Sequence, residues 1–119
     1  MAYDFRNLKI WQKAYELALE TYRITDKFPQ TEKFSLIDQL RRAAISVVAN
    51  IAESFGRYHI KDKIHLLMVA RGSIYETRSH LSIAVGLGYM DKERFKEIDD
   101  AYEILSRQLN SFIKAIKAN

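Results

Sequence analysis

The stretch QLRRAAISVVANIAESFGR, residues Gln39–Arg57, is the segment that best predicts the fold of this chain. Drawn as a helix, it carries apolar side chains around most of its circumference: Leu40, Ala43, Ala44, Ile45, Val47, Val48, Ile51, Ala52 and Phe55. A helix that is apolar on nearly every side is buried on more than one side. We therefore predict that this helix is the centre of a helical bundle and that it also takes part in an assembly.

A line of polar residues crosses the same helix at steps of four, four, three and four: Arg42, Ser46, Asn50, Glu53 and Arg57. Such residues stack on one side of a helix, and unpaired buried polar groups cost roughly 1–3 kcal/mol each. One interpretation is a network of Arg42, Asn50 and Glu53, with Glu76 or Asp38 as the partner, that fixes the register of the helices. The alternative is that the arginines line a groove or channel and bind phosphate through their planar guanidinium groups.

Three further helices are predicted from apolar residues that repeat at intervals of three and four. The four predicted helices cover about residues 8–27, 32–55, 60–87 and 91–117 of a single domain, 1–119. Pro29 ends the first helix because proline disfavours the helical conformation in the residue before it. Gly56 is predicted to end the second in a left-handed conformation. Short links between long helices favour an all-α, antiparallel, up-down-up-down four-helix bundle.

The first two helices carry more apolar surface than one bundle core requires. Helix four has a single apolar stripe, whereas helices one and two are apolar on two faces. This surplus predicts self-association, because large exposed apolar patches on soluble proteins mark interaction surfaces. We predict that Ile10, Leu17, Val47 and Ile51 form the interface between subunits.

Composition narrows the classes of function. The 119 residues include no cysteine, 19 lysines and arginines, and 15 aspartates and glutamates, for a net charge of +4. The absence of cysteine excludes disulfides and cysteine-ligated metals. The chain also has no signal-peptide pattern and no run of about 20 apolar residues, so we predict a cytoplasmic protein that does not enter the membrane. The modest basic excess permits contact with nucleic acid.

Basic residues near the two ends of helix two are candidate phosphate contacts. Arg41 lies near its start, and Arg57, Lys61 and Lys63 lie around a tyrosine and a histidine in the turn that follows it. Cations interleaved with aromatic rings are typical of single-stranded nucleic-acid binding through charge and stacking. The alternative interpretation of this cluster is a solvated turn.

The sequence offers little catalytic chemistry. It has no glycine-rich phosphate loop and no nucleophile elbow, and it lacks the paired Glu-x-x-His motifs of di-iron bundles. Glu76 and His80 are four residues apart, so we interpret them as neighbours on one helix rather than as metal ligands. We predict a protein that is not an enzyme and that uses no cofactor or metal.

Several segments together resemble one protein family: Leu8-x-x-Trp11-Gln12-x-Ala14, Phe28-Pro29, Gln39-Leu40-Arg41-Arg42-Ala43-Ala44-x-Ser46, Asn50-Ile51-Ala52-Glu53, Gly56-Arg57, Ala70-x-Gly72-Ser73-x-x-Glu76 and Gly86-x-Gly88-Tyr89. They resemble the four-helix-bundle proteins encoded in intervening sequences of bacterial 23S ribosomal RNA genes, although that family usually has glycine at the position of Ser54. The resemblance implies an antiparallel four-helix bundle that assembles into a ring-shaped homopentamer. The family is itself similar to the accessory protein of diversity-generating retroelements, a basic pentameric barrel that binds nucleic acid and a reverse transcriptase.

The residues and the resemblance together predict a non-enzymatic homo-oligomer that binds ribosomal RNA or another nucleic acid, or that associates with the ribosome. The alternative is a protein-interaction scaffold that binds no nucleic acid. The two differ in what copurifies with the untagged protein: nucleic acid in the first case and a protein partner in the second.

Overall fold

Four long α-helices account for most of the structure, a computed structural model that describes residues 3–118. They are α1 (Lys9–Thr25), α2 (Leu36–Gly56), α3 (Ile60–Gly86) and α4 (Lys92–Lys117), with short 3-10 helices at Phe5–Asn7 and Gln30–Glu32. No β-strand occurs in residues 3–118, so the predicted all-α class and the four helices are confirmed. None of these helices has the length and apolar character needed to cross a membrane.

The second helix begins later than the sequence predicted, at Leu36 rather than near residue 32. Glu32 belongs to the short 3-10 helix instead. Its carboxylate accepts hydrogen bonds from Ser35 Oγ (2.6 Å) and from the Tyr89 hydroxyl (2.7 Å). These bonds, first that from Ser35, lower the pKa of Glu32. They tie the connection between α1 and α2 to the corner after α3, which favours a bent connection over a longer helix.

The helices follow one another around the bundle. α2 packs against α1 and α3, and α4 packs against α3 and α1. Two polar pairs show how α3 and α4 are aligned: Arg71 Nη1 donates to Asn110 Oδ1 (2.7 Å), and Arg78 Nε donates to Asp99 Oδ1 (2.8 Å). Residue numbers rise along α3 as those of their partners fall along α4.

The four residues predicted to contact another subunit lie in the core of the bundle. Val47 and Ile51 are 0% exposed, and Ile10 and Leu17 are also buried. A side chain that its own chain covers offers no surface to a second copy, so the predicted interface residues are wrong. The spacing revealed that α1 and α2 have two apolar faces, but it did not reveal which of the two faces the core.

A lysine, rather than a left-handed glycine, caps the end of α2. Lys63 Nζ donates to the carbonyl oxygens of Ser54 and Phe55, at 3.2 Å each. These are two of the carbonyls that the end of a helix leaves free, and the helix dipole also favours a cation there. Gly56 has no positive φ, and within residues 3–118 that conformation occurs at Gly88 (φ 80°). The predicted conformation of Gly56 is therefore wrong.

Candidate functional site

The predicted network does not form around Glu76, and the partner of Arg42 is the alternative that the sequence offered, Asp38. Arg42 Nε donates to Asp38 Oδ2 (2.9 Å), and Arg57 pairs with Glu53, in each case about one helical turn away along the chain. Asn50 Nδ2 donates to the carbonyl oxygen four residues before it (2.8 Å). The Arg42 side chain is 75% exposed, and exposed ion pairs contribute about 0–1 kcal/mol. The ion pairs of Arg42 and Arg57 lie along one helix, so they do not fix the register between helices. Asn50 also donates to Ser46 Oγ (3.1 Å), and through Ser46 it is connected to α3.

Glu76, the remaining member of that predicted network, also contacts its own helix. Its carboxylate lies 3.5 Å from His80 Nε2, one turn further along α3. The same part of the chain, residues 3–118, holds no group of three or more His, Cys, Asp or Glu side chains placed to bind a metal ion. Glu76 and His80 are neighbours one turn apart on α3.

Other polar side chains do connect the helices. Asp99 accepts two hydrogen bonds from Arg78, from Nε at 2.8 Å and from Nη2 at 3.3 Å, and both side chains are partly buried. The bond to Asp99 raises the pKa of the Arg78 guanidinium. Ser73 Oγ donates to Ser46 Oγ (2.8 Å) and so joins α3 to α2. Sequence reasoning missed the ion pair because Asp99 is one of several acidic residues on α4, and the sequence does not give the alignment of the helices.

Three of the four candidate phosphate contacts lie at the turn between α2 and α3. Lys63 donates hydrogen bonds to carbonyl oxygens at the end of α2, and Arg57 forms an ion pair with Glu53. Lys61 is exposed and forms no ion pair within residues 3–118. Lys61 is therefore the member of this group whose charge is most available to a partner.

Arg41, the fourth candidate, lies elsewhere in the molecule. It is separated from Arg57 by 16 residues of α2, which corresponds to about 24 Å at 1.5 Å per residue. Arg41 Nε donates to Thr25 Oγ1 (2.9 Å), and its Nη2 lies 3.1 Å from Asp26 Oδ1. Its guanidinium also stacks 4.4 Å from the centre of the Tyr22 ring. These contacts attach α2 to the end of α1, so the structure does not bring Arg41 together with the other three residues.

Several chain segments meet at the end of the bundle that includes the α2–α3 turn. Tyr3 packs against Phe55, with ring centroids 6.0 Å apart, and Ile10 and Phe112 line one surface hollow. The start of α1 therefore lies near the ends of α2 and α4. We call this region the basic end and define it by its segments: residues 3–16, 50–72 and 105–118.

Charge is divided unevenly between the basic end and the rest of the molecule. The basic end contains ten lysines and arginines but four aspartates and glutamates. The remainder contains nine basic and eleven acidic residues. The entire positive excess of the chain therefore lies at one end of the bundle, where exposed lysines such as Lys9, Lys61, Lys114 and Lys117 are found.

An apolar groove runs between α1 and α2 on the outside of the bundle. Its volume is about 350 Å³, and it is formed by what we call the α1–α2 face: Tyr15, Ala18, Leu19, Tyr22, Ile45, Val48 and Ala49. Tyr15, Leu19 and Ile45 are each at least 39% exposed. Exposed patches of this kind mark interaction surfaces. The exposed apolar surface therefore lies on the two helices for which the sequence predicted a surplus, but at other residues than the four that were named.

A second apolar surface lies on α3, which packs beside α2 and α4 and lies across the bundle from α1. We call it the α3 ridge, and it consists of the exposed residues Met68, Gly72, Tyr75 and Ile83. Gly72 lies in the middle of α3, where glycine costs about 1 kcal/mol relative to alanine. A Cβ atom built on Gly72 meets no other atom within 4 Å. No neighbour within residues 3–118 therefore requires the glycine.

Comparison with known proteins agrees with this architecture. The sequence model of the 23S rRNA-intervening sequence protein family matches residues 6–111. The fold is similar to a protein of unknown function from the S23 ribosomal protein family of Bacteroides thetaiotaomicron, whose crystal structure superposes with a TM-score of 0.79 at 24% identity over 88% of this chain and 98% of that one. No curated protein shows significant similarity to the chain. The family match spans nearly the whole sequence, and the chain therefore belongs to the 23S rRNA-intervening sequence protein family.

Proposed function

We propose that this protein is a non-enzymatic RNA-binding bundle, that it works as a homo-oligomer, and that its basic end contacts the phosphate backbone of ribosomal RNA. The concentration of positive charge at one end is the observation that carries the RNA contact. In an up-down-up-down bundle the start of α1, the turn between α2 and α3 and the end of α4 lie at the same end, and these are the three segments of the basic end. The link to ribosomal RNA in particular comes from the family.

The chemistry of the basic end suits phosphate. Lys61, Lys114 and Lys117 are exposed and have no acidic partner within the described chain. Ammonium groups of this kind neutralise phosphates and release counterions, which makes binding strongly dependent on salt. Arg57 adds a guanidinium that is shared with Glu53 at the surface. We infer that Lys61 and Arg57 contact RNA, that Lys63 supports the turn, and that Arg41 takes no part.

The RNA contact is tested by titrating labelled fragments of 23S rRNA with the protein at several salt concentrations. We expect binding that weakens steadily as salt increases. The double variant Lys61→Ala/Lys114→Ala is expected to reduce the slope of log affinity against log salt by roughly 0.7 for each lysine removed.

The matched control removes two lysines from the opposite end. Lys33→Ala/Lys92→Ala changes the net charge by the same amount, and both side chains are exposed. This control is expected to bind RNA like the native protein. Equal losses in both double variants, or no affinity even at low salt, would exclude a contact through the basic end.

The proposed assembly uses the two apolar surfaces. The α1–α2 face and the α3 ridge belong to different sides of the bundle, because α3 lies across the bundle from α1. An isologous dimer through one surface would leave the other exposed, whereas head-to-tail packing covers both and closes into a ring if the rotation permits. Packing of the α1–α2 face against the α3 ridge also explains why an exposed glycine occurs at position 72, since glycine lets a neighbouring helix approach closely. Five subunits is the number that the family resemblance implies.

The assembly is tested with Ile45→Glu on the α1–α2 face and Tyr75→Glu on the α3 ridge. Each variant alone is expected to be monomeric by light scattering. In either variant, association would bury a carboxylate without a partner in the interface, which is unfavourable. A mixture of the two retains one intact pair of surfaces, so we expect a heterodimer of one copy of each.

Ile104→Glu is the matched control for the assembly, since Ile104 is equally exposed on α4 but belongs to neither surface. It is expected to keep the native mass. A monomeric native protein, or a mixture that does not form the heterodimer, would contradict head-to-tail assembly. A monomer that copurifies with another protein and binds no RNA would favour the scaffold function instead.

A further inference from the structure

A cavity of about 560 Å³ lies at the end of the molecule opposite the basic end, between the last turns of α1 and the corner that joins α3 to α4. Its lining residues are Arg23, Ile24, Lys27, Gly88, Tyr89, Met90, Asp91 and Arg94. Cavities of roughly 300–1,000 Å³ are the usual size for small organic ligands. Three of the eight lining residues are cations, although this half of the molecule has an acidic excess.

Of the described residues, Glu20 supplies the one carboxylate that forms an ion pair with any of the three basic side chains. Arg23 Nη1 lies 3.4 Å from Glu20 Oε2, and Arg94 contacts the other oxygen of the same carboxylate. Lys27 forms no ion pair within residues 3–118. One carboxylate thus lies beside two guanidinium groups and leaves most of their N–H donors, together with the Lys27 ammonium, without a partner in the described chain.

The rest of the wall combines a helix start with apolar surface. Asp91 caps α4, its carboxylate accepting a hydrogen bond from Arg94 N at 2.7 Å. This carboxylate takes up the positive partial charge of the helix start, so the lining holds one negative charge against three positive ones. Ile24, Tyr89 and Met90 provide the apolar side of the cavity. The Tyr89 hydroxyl is held by Glu32, so its ring is fixed in place.

We propose that this cavity binds a phosphomonoester, the terminal phosphate of either a mononucleotide or an RNA strand. Guanidinium groups bind phosphate oxygens in a bidentate manner, and Arg23 and Arg94 supply two of them beside Lys27. The apolar wall receives the organic group that carries the phosphate. Because the cavity lies far from the basic end, this site is independent of the proposed RNA contact there.

Calorimetric titrations test the site with four probes: inorganic phosphate, adenosine monophosphate, a short RNA with a 5′-phosphate and the same RNA with a 5′-hydroxyl. We expect at least one phosphomonoester to bind more tightly than inorganic phosphate. Tight binding of the mononucleotide identifies a free nucleotide as the ligand. Tighter binding of the 5′-phosphorylated RNA than of the same RNA with a 5′-hydroxyl identifies an RNA end as the ligand.

Lys27→Gln is the informative variant, because Lys27 makes no ion pair whose loss would disturb the fold. Loss of one charge-assisted contact is expected to weaken phosphomonoester binding about tenfold. Lys33→Gln removes the same charge outside the cavity and is expected to bind like the native protein. Binding of neither phosphomonoester at millimolar concentration, or equal weakening by both variants, would overturn the proposal. Lys61→Ala/Lys114→Ala is expected to leave mononucleotide binding unchanged, which separates this site from the proposed RNA surface.

Discussion

Arg42 and Arg78 show how two residues of one type acquire different roles from their surroundings. Both pair with an aspartate, at 2.9 Å and 2.8 Å respectively. Arg42 binds Asp38 on its own helix and is 75% exposed, whereas Arg78 binds Asp99 on a neighbouring helix and is 24% exposed. The second pair therefore connects two helices in a place where water screens the charges less.

Replacing each arginine by methionine separates the two cases. We expect Arg78→Met to lower the free energy of unfolding by about 1–2 kcal/mol, because the partly buried Asp99 is left without its partner. Arg42→Met is the matched control and is expected to change it by less than about 0.5 kcal/mol. Urea denaturation measures both values, and similar losses in the two variants would contradict this difference in roles.

The buried hydroxyl of Tyr102 predicts a dependence of stability on pH. Burial raises the pKa of Tyr102 to about 12, while its hydrogen bond with Thr21 (3.3 Å) acts in the opposite direction. Between pH 10 and 12 the unfolded chain releases this proton and the folded chain keeps it, so stability is complete below about pH 10 and falls as pH rises. The expected loss is about 2–3 kcal/mol.

The pH prediction is checked by denaturation of native protein and of Tyr102→Phe at several pH values. The phenylalanine variant lacks the titrating group, so the difference in stability between the two proteins is expected to shrink from pH 10 to pH 12. Other groups titrate alike in both proteins and cancel in that difference. A difference that stays constant with pH would contradict the assignment to Tyr102.

At the scale of a helix, α3 keeps a glycine that its own chain does not need. A Cβ on Gly72 would lie in open space, and alanine is the better helix former. We expect Gly72→Ala to raise the unfolding free energy of the isolated subunit by about 1 kcal/mol. The same substitution is expected to weaken association, because the added methyl group separates the α3 ridge from the next subunit.

Both effects of Gly72→Ala are measured with the same samples. Subunit stability is measured by unfolding at dilutions where the protein is monomeric, and association is measured as mass by light scattering at higher concentrations. Ser111→Ala, exposed on α4 outside both apolar surfaces, is the control and is expected to leave both measurements unchanged. A Gly72→Ala variant that is no more stable as a monomer would contradict the account of the glycine. Unchanged association would show that the ridge is not close to another subunit.

At the scale of the whole molecule, Val47 and Ile45 test which face of α2 supports the core. Val47 is 0% exposed, and Ile45, two residues away, is 47% exposed. Val47→Asp places a carboxylate in the core, where it has no partner, and we expect the cooperative unfolding transition to be lost. Ile45→Asp is expected to keep a folded monomer and a cooperative transition, as judged by circular dichroism during heating. A folded Val47→Asp protein would contradict the position of Val47.

The sequence predicted most of the secondary structure because apolar periodicity and helix breakers act locally. The positions of Pro29, Gly88 and Asp91 bounded the helices to within a few residues. The largest error was the start of α2, where Glu32 bonds to Tyr89, a residue 57 positions away. A local pattern does not contain that contact, so it could not have been predicted from the stretch around Glu32.

The sequence by itself determined the all-α class, the four helices, the family and the surplus of apolar surface on α1 and α2, since each of these depends on the type and spacing of residues. Only the tertiary structure decided which apolar face is buried, because α1 and α2 have two and the packing of all four helices selects one. It also decided which basic side chains are hydrogen-bonded within the chain and which are free to bind a partner. Arg41 and Lys63 bind the ends of helices, whereas Lys61 stays exposed, and only the three-dimensional neighbours of a charged side chain distinguish these cases.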